Sequence, residues 1–142
     1  RDFADVQQAN PLTDADPLDY RLVEYEHDMA SVYAASDLVV CRSGATSVAE
    51  LATTGTPSIL VPLPGAPGDH QTANAQALVE CGGAQLIADA ELDGARFVEA
   101  VDALLVQPAR LEAMAAGAMS IARPDAASAV ADLVVAHAAE AS

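Results

Sequence analysis

"DLVVCRSGATSVAELATTGTPSILVPL", Asp37 to Leu63, contains two apolar runs of strand length separated by a small-residue turn and an alanine-rich stretch. Asp37 to Cys41 is apolar after its first residue, and Pro57 opens the second run, Ser58 to Leu63. Continuous runs of this kind suit strands buried on both faces of a parallel sheet. Ala45 to Thr54 between them has a helical pattern that Gly55 stops. Strand, helix, strand in this order is the crossover unit of a parallel sheet with helices on both faces.

The alternation extends in both directions. "PGAPGDH" is a loop, followed by a helix from His70 to Glu80, a stop at Cys81-Gly82-Gly83 and a third strand, Ala84 to Ile87. Upstream, "YRLVEY", Tyr20 to Tyr25, alternates as a strand, and Asp28 caps a short helix "MASVYAAS". Arg1 to Leu18, with Pro11 and Pro17, reads as a short helix and then a loop. After Asp89 the pattern is helical in three pieces, "ARFVEAVDALLV", "ARLEAMAAGAMS" and "DAASAVADLVVAHAA", in which Met114 and Met119 read as core filler. The expectation is one domain over residues 1–142: a connector at 1–19, a strand and helix core at 20–88 and terminal helices at 89–142. Its class is α/β, a Rossmann-like parallel sheet flanked by helices.

A chain of 142 residues suffices for one core burying roughly two thirds of the surface that its unfolded form exposes. The net charge is −15, and no lysine occurs; the cations are Arg1, Arg21, Arg42, Arg96, Arg110 and Arg123. Nucleic acids and anionic lipids are bound through clustered Lys and Arg, so neither is expected as the main partner of this segment. Cys41 and Cys81 lack metal-like spacing and read as structural thiols of a reduced compartment. No apolar run approaches membrane-spanning length, which makes a cytoplasmic protein the expectation. Because the chain opens on Arg1 and not on methionine, it reads as cut from something longer.

The turn "CRSGATS" follows the first buried strand, where open parallel sheets place ligands and where a helix start offers N–H groups to an anion. Gly44 permits close backbone approach, Ser43, Thr46 and Ser47 add hydroxyls, and Arg42 adds a positive charge. Together they suit a phosphate or pyrophosphate. An alternative stands beside this: "SVAE", Ser47 to Glu50, fits a capping box. The turn after the second strand brings Asp69, His70, Gln71 and Asn74 to another helix start. Asp69 reads as its N-cap, and His70 as a capping or exposed residue. Gln71 and Asn74 share a face whose amides suit sugar hydroxyls.

"DM" at Asp28 and Met29, "YAASDLVVCRSGA" from Tyr33 to Ala45, Glu50, "GTP" at Gly55 to Pro57 and "HQTANA" from His70 to Ala75 occur in an order and spacing that resemble one family. From Leu22 to the last helix the chain is similar to the carboxyl-terminal half of the MurG family, two-domain GT-B transferases that move N-acetylglucosamine from UDP to a lipid-linked muramyl-pentapeptide. The resemblance implies the donor-binding half of that fold, lacking its first strand or strands. It also implies that Glu50 holds the ribose diol, that Ser43, Gly44 and Ser47 lie at the phosphates with Arg42 beside them, that His70, Gln71 and Asn74 face the sugar, and that Tyr25 and Glu26 lie by the uracil.

The partners implied are UDP-N-acetylglucosamine, an amino-terminal acceptor domain and, through it, the lipid-linked acceptor, with the full-length protein peripheral on the cytoplasmic face of the membrane. Neither cofactor nor metal is implied, since helix amides and hydroxyls stabilise the leaving pyrophosphate. Base and acceptor site belong to the other half, so no catalytic residue is expected here, and the chain alone is expected to be inactive. The competing readings are a stand-alone UDP-sugar-binding subunit that recruits a partner chain, a sensing module, and a domain of another UDP-sugar transferase or epimerase. A sheet lacking its opening strand also invites pairing of two copies through the exposed edge.

Overall fold

A computed structural model of the chain describes residues 3–9 and 18–140. Strands β1 (Val39–Cys41), β2 (Ser58–Leu60) and β3 (Ala84–Leu86) form one parallel sheet in the order β1-β2-β3. Its register sets Val40 beside Ile59 and Ile59 beside Gln85. Helices α1 (Phe3–Ala9) and α2 (Met29–Ala35) precede β1, α3 (Ala45–Thr54) joins β1 to β2, and α4 (His70–Glu80) joins β2 to β3. Then follow α5 (Gly94–Leu105), α6 (Pro108–Ser120) and α7 (Ala126–Glu140). The loop expected around Pro11 and Pro17 lies outside the described residues.

Each strand is shorter than its apolar run. β2 stops at Leu60, although Val61 still donates to the Cys41 carbonyl at 2.9 Å, because Pro62 has no N–H to continue the ladder. β1 is half-buried and not enclosed on both sides, because it stands at an edge of the sheet. The strand expected over residues 20–25 does not form. These residues join no ladder, and Tyr20, Val23 and Tyr25 stand exposed, so their alternation has no face to bury.

Period-two alternation along the three strands sorts the core into two layers. Val39, Cys41, Leu60, Ala84 and Leu86 point to one face, where Tyr33 of α2, Leu51 and Ala52 of α3, and Ala75 and Leu78 of α4 cover them. Val40, Ile59 and Ile87 belong to the other face, against Ala100 and Leu104 of α5 and Met114 of α6. Met114 is core, as expected, whereas Met119 is 60% exposed. The sheet is therefore a three-layer centre whose strand ends are left open for loops.

Helix ends fix where those loops begin. α3 closes on Gly55 at φ 65°, with the Thr56 N–H reaching the Leu51 carbonyl at 3.1 Å and the Gly55 N–H the Ala52 carbonyl at 3.4 Å. This is a Schellman stop, which needs the left-handed conformation that glycine adopts without penalty. α6 crosses the end of α4 so closely that a Cβ on Gly117 would collide with the Cys81 carbonyl oxygen. Residues 126–138 of α7 are all exposed and place no side chain in the core. Among the described residues no helix is long and apolar enough to cross a membrane.

Candidate functional site

The carboxyl ends of the strands converge on one rim, formed by the turn after β1, the loop after β2 and the segment after β3. α3 begins there. Its N-cap is Gly44, whose extended backbone supplies no side chain to the first turn. The capping box expected from Ser47 and Glu50 is therefore not formed: the helix starts at Ala45, which puts Ser47 inside the first turn, and the Glu50 carboxylate is bonded elsewhere. A first turn not capped by its own N-cap side chain keeps N–H groups for an anion.

Ser43 does not offer its hydroxyl to that position. It is fully buried and donates to the Gln71 carbonyl oxygen at 2.8 Å. Asn74 Nδ2 donates back to the Ser43 carbonyl at 3.1 Å, and the Leu63 N–H donates to Gln71 Oε1 at 3.0 Å. Ser43, Gln71 and Asn74, all expected to face a ligand, thus stitch the two turns together. The amide nitrogen of Gln71 and the amide oxygen of Asn74 take no part in these bonds.

Arg42 joins the same rim. Its guanidinium donates to the carbonyls of Val61 at 3.3 Å and Pro62 at 3.1 Å and pairs with the Asp89 carboxylate. All three partners meet one nitrogen, Nη1, which therefore ties together the chain after β1, after β2 and after β3. Asp89 was not singled out by sequence, since nothing near it marks it as a partner of residue 42.

Glu50 forms the second half of the site. It lies on the α3 face shared by Thr46, Ala49 and Thr53, which with Met29 and Tyr33 of α2 walls a cleft of about 280 Å³. The Tyr33 hydroxyl donates to Glu50 Oε2 at 3.0 Å. Burial, then the hydrogen bond and negative charge of Glu50, push the Tyr33 phenol up to about 12, with the Ser47 hydroxyl acting in the opposite direction. Tyr33 stays neutral and remains a donor. It too escaped the sequence reading, because 17 residues separate it from Glu50.

The remaining expected site residues are peripheral. His70 is exposed, with a ring nitrogen 2.7 Å from the Pro67 carbonyl oxygen. Asp69 stands at the N-cap position of α4 in the left-handed region, at φ 52°, yet its carboxylate accepts the Thr72 hydroxyl at 2.8 Å and no backbone N–H of the helix. Tyr25 is 71% exposed and meets the His27 ring edge-on, at 4.7 Å between centroids. Glu26 accepts the Asp28 N–H at 2.7 Å; Asp28 in turn caps α2, accepting the Ser31 N–H at 3.1 Å. Tyr25 and Glu26 thus sit on the approach to α2 and are not brought into the cleft. Cys41 and Cys81 are half-buried free thiols, Cys41 held above its ordinary range by burial.

Residues 2–130 match the model of the glycosyltransferase family 28 C-terminal domain. A UDP-N-acetylglucosamine–N-acetylmuramyl-(pentapeptide) pyrophosphoryl-undecaprenol N-acetylglucosamine transferase of Chlorobium limicola is 54% identical over 72% of this chain and 28% of its own length. The corresponding enzyme of Desulforudis audaxviator is 41% identical over 94% of this chain and 36% of its own. The chain thus spans about a third of the length of the curated relatives it matches. In the crystal structure of Acinetobacter baumannii MurG, 34% of the chain superposes on 80% of this one, with a TM-score of 0.73 and 36% identity. Matched in sequence across all but its ends and in fold by a solved member, the chain belongs to the glycosyltransferase family 28 C-terminal domain family.

Proposed function

We propose that this chain holds the donor of a transferase that moves N-acetylglucosamine from UDP to a lipid-linked muramyl-pentapeptide, inverting the anomeric carbon. The observation that carries the reading is the pairing of the open start of α3 with Glu50 farther along the same helix, one element offering N–H groups to a pyrophosphate and a carboxylate to a ribose. A carboxylate accepts from both hydroxyls of a cis-diol. Gly44 lets the phosphates approach, and the Thr46 and Ser47 hydroxyls complete their cradle.

In this reading Ser43, Gln71 and Asn74 hold the two turns in register. The Gln71 nitrogen and Asn74 oxygen are left for the sugar, beside His70, while Tyr25 and Glu26 border the base. Helix amides stabilise the charge that develops as UDP leaves. The acceptor site and the general base lie outside these residues, in the amino-terminal domain of a protein that works peripherally at the cytoplasmic membrane face. The chain alone is then inactive, and the edge of β1 is available for pairing with a second copy, which light scattering would detect as a dimer.

Titration calorimetry with UDP, UDP-N-acetylglucosamine and UDP-glucose tests the assignment in the whole protein. Glu50→Ala is expected to weaken UDP binding by at least about tenfold, the scale of hydrogen bonds to a charged acceptor. Unchanged affinity in that variant would remove Glu50 from the site, and loss of binding on chelation would contradict a leaving group stabilised by amides.

A further inference from the structure

The cleft between α2 and α3 has an apolar wall of Met29, Ala30 and Ala49, and within it the Glu50 carboxylate meets a single buried ring, Tyr33. That ring is fixed in two ways. It is 6% exposed, packed in the core layer with Leu51, Ala52 and Leu60. Its own backbone carbonyl accepts from the Ser36 N–H at 3.2 Å and from the buried Thr56 hydroxyl at 3.5 Å, which ties α2 to the loop leaving α3. The hydroxyl at the end of this anchored ring is the one that reaches Glu50 Oε2.

We infer that Tyr33 is a positioning residue for Glu50, setting the carboxylate so that the acceptor capacity left beside the Tyr33 bond meets the two hydroxyls of a nucleoside cis-diol. The inference rests on Glu50 being the diol ligand. A glutamate on a cleft wall otherwise samples several rotamers, and fixing them before binding lowers the entropy lost when the ligand arrives. The choice of tyrosine suits this task. An arginine or lysine would compete for the lone pairs and neutralise the charge, whereas a neutral phenol donates one hydrogen bond and leaves the carboxylate charged and mostly unoccupied. Position 33 therefore contributes to discrimination between ribose and deoxyribose without touching the ligand.

Calorimetric affinities for UDP and 2′-deoxy-UDP, measured in the whole protein, test this. The unaltered protein is expected to prefer UDP by about tenfold, the worth of one hydrogen bond to a charged acceptor. Tyr33→Phe keeps the ring in the core and is expected to shrink that preference to about twofold, toward the value of Glu50→Ala. In the Glu50→Ala background it should change nothing further. Glu50→Asp, one methylene too short for the tyrosine, should narrow the preference in the same way, and it serves if Tyr33→Phe does not fold.

If Glu50→Ala leaves the preference intact, the diol assignment of Glu50 fails and the positioning role with it. If Glu50→Ala abolishes the preference while Tyr33→Phe and Glu50→Asp preserve it, Glu50 stands and the role of Tyr33 is overturned. Equal loss for both nucleotides in Tyr33→Phe, repeated in the Glu50→Ala background, marks a merely structural tyrosine and overturns it as well.

Discussion

The buried Ser43 hydroxyl donates to the Gln71 carbonyl oxygen at 2.8 Å and so locks the turn after β1 onto the first turn of α4. Asn74 returns the bond to the Ser43 carbonyl, which makes the two turns one rigid unit. Ser43→Ala leaves a cavity the size of a hydroxyl and a carbonyl without this partner, so it should cost about 1–2 kcal/mol of stability. Urea unfolding should show a lower midpoint with an unchanged slope. A midpoint that does not move would mean that the bond contributes nothing net.

Two glycines should differ in what a methyl group does to them. At Gly55 an added Cβ would approach Met119 Cγ at 2.7 Å, but that side chain is 60% exposed and can swing away. What remains is the backbone cost of φ 65°, so Gly55→Ala should lose about 1 kcal/mol. At Gly117 the obstacle is the backbone of residues 81–83, which cannot move without separating α6 from α4. Gly117→Ala should lose about 3 kcal/mol, within the range for overpacked contacts. Thermal unfolding of both variants checks the order, and the reverse order would contradict it.

What the chain makes legible by itself is its punctuation. α3 and α4 occupy the residues expected of them because small or turn-forming residues bracket both, Gly44 and Gly55 on one, Asp69 and Gly82 on the other. The strands are legible as apolar runs, but their ends are set by neighbours: Pro62 stops β2, and β1 is half-buried because nothing flanks it among the described residues. Residues 20–25 show the limit of periodicity, since alternation predicts a strand only where a partner exists to receive it. The site was legible in part. Glu50 lines a cleft, whereas Ser43 turns inward, and its residue type alone could not distinguish a hydroxyl that greets a ligand from one that bonds a neighbouring turn. Tyr33 and Asp89 were invisible because each acts on a residue distant in sequence.

Arg42 is expected to matter through the three partners that meet on its Nη1. Its ion pair with Asp89 is half exposed, which limits the pair to about 0.5–1 kcal/mol after solvent screening. Arg42→Lys keeps a charged donor, and because all three partners meet the single nitrogen Nη1, an ammonium with three N–H groups can take its place, so it should lose less stability than Arg42→Ala. In an Asp89→Asn background, Arg42→Ala should cost less than it does alone. Denaturant unfolding of the four proteins of the cycle checks this, and strictly additive losses would show that the ion pair is uncoupled.

The Tyr33 phenol provides a spectroscopic signal for the contact with Glu50. One of the chain's three tyrosines should ionise at about 12, raised from 10.0 first by burial and then by the Glu50 carboxylate. A folded value above the unfolded one means that the unfolded chain releases its proton first as pH rises. The stabilisation is therefore complete below pH 10, declines between pH 10 and about 12, and is absent above that. Tyrosinate absorbance should show this late phase in the unaltered chain and lose it in Tyr33→Phe. In Glu50→Gln the phase should move toward lower pH but stay above the ordinary range, because burial, the larger cause, remains. If Glu50→Gln left the late phase in place, the carboxylate would not be in contact with the phenol, and the hydrogen bond that sets the cleft would have to be discarded.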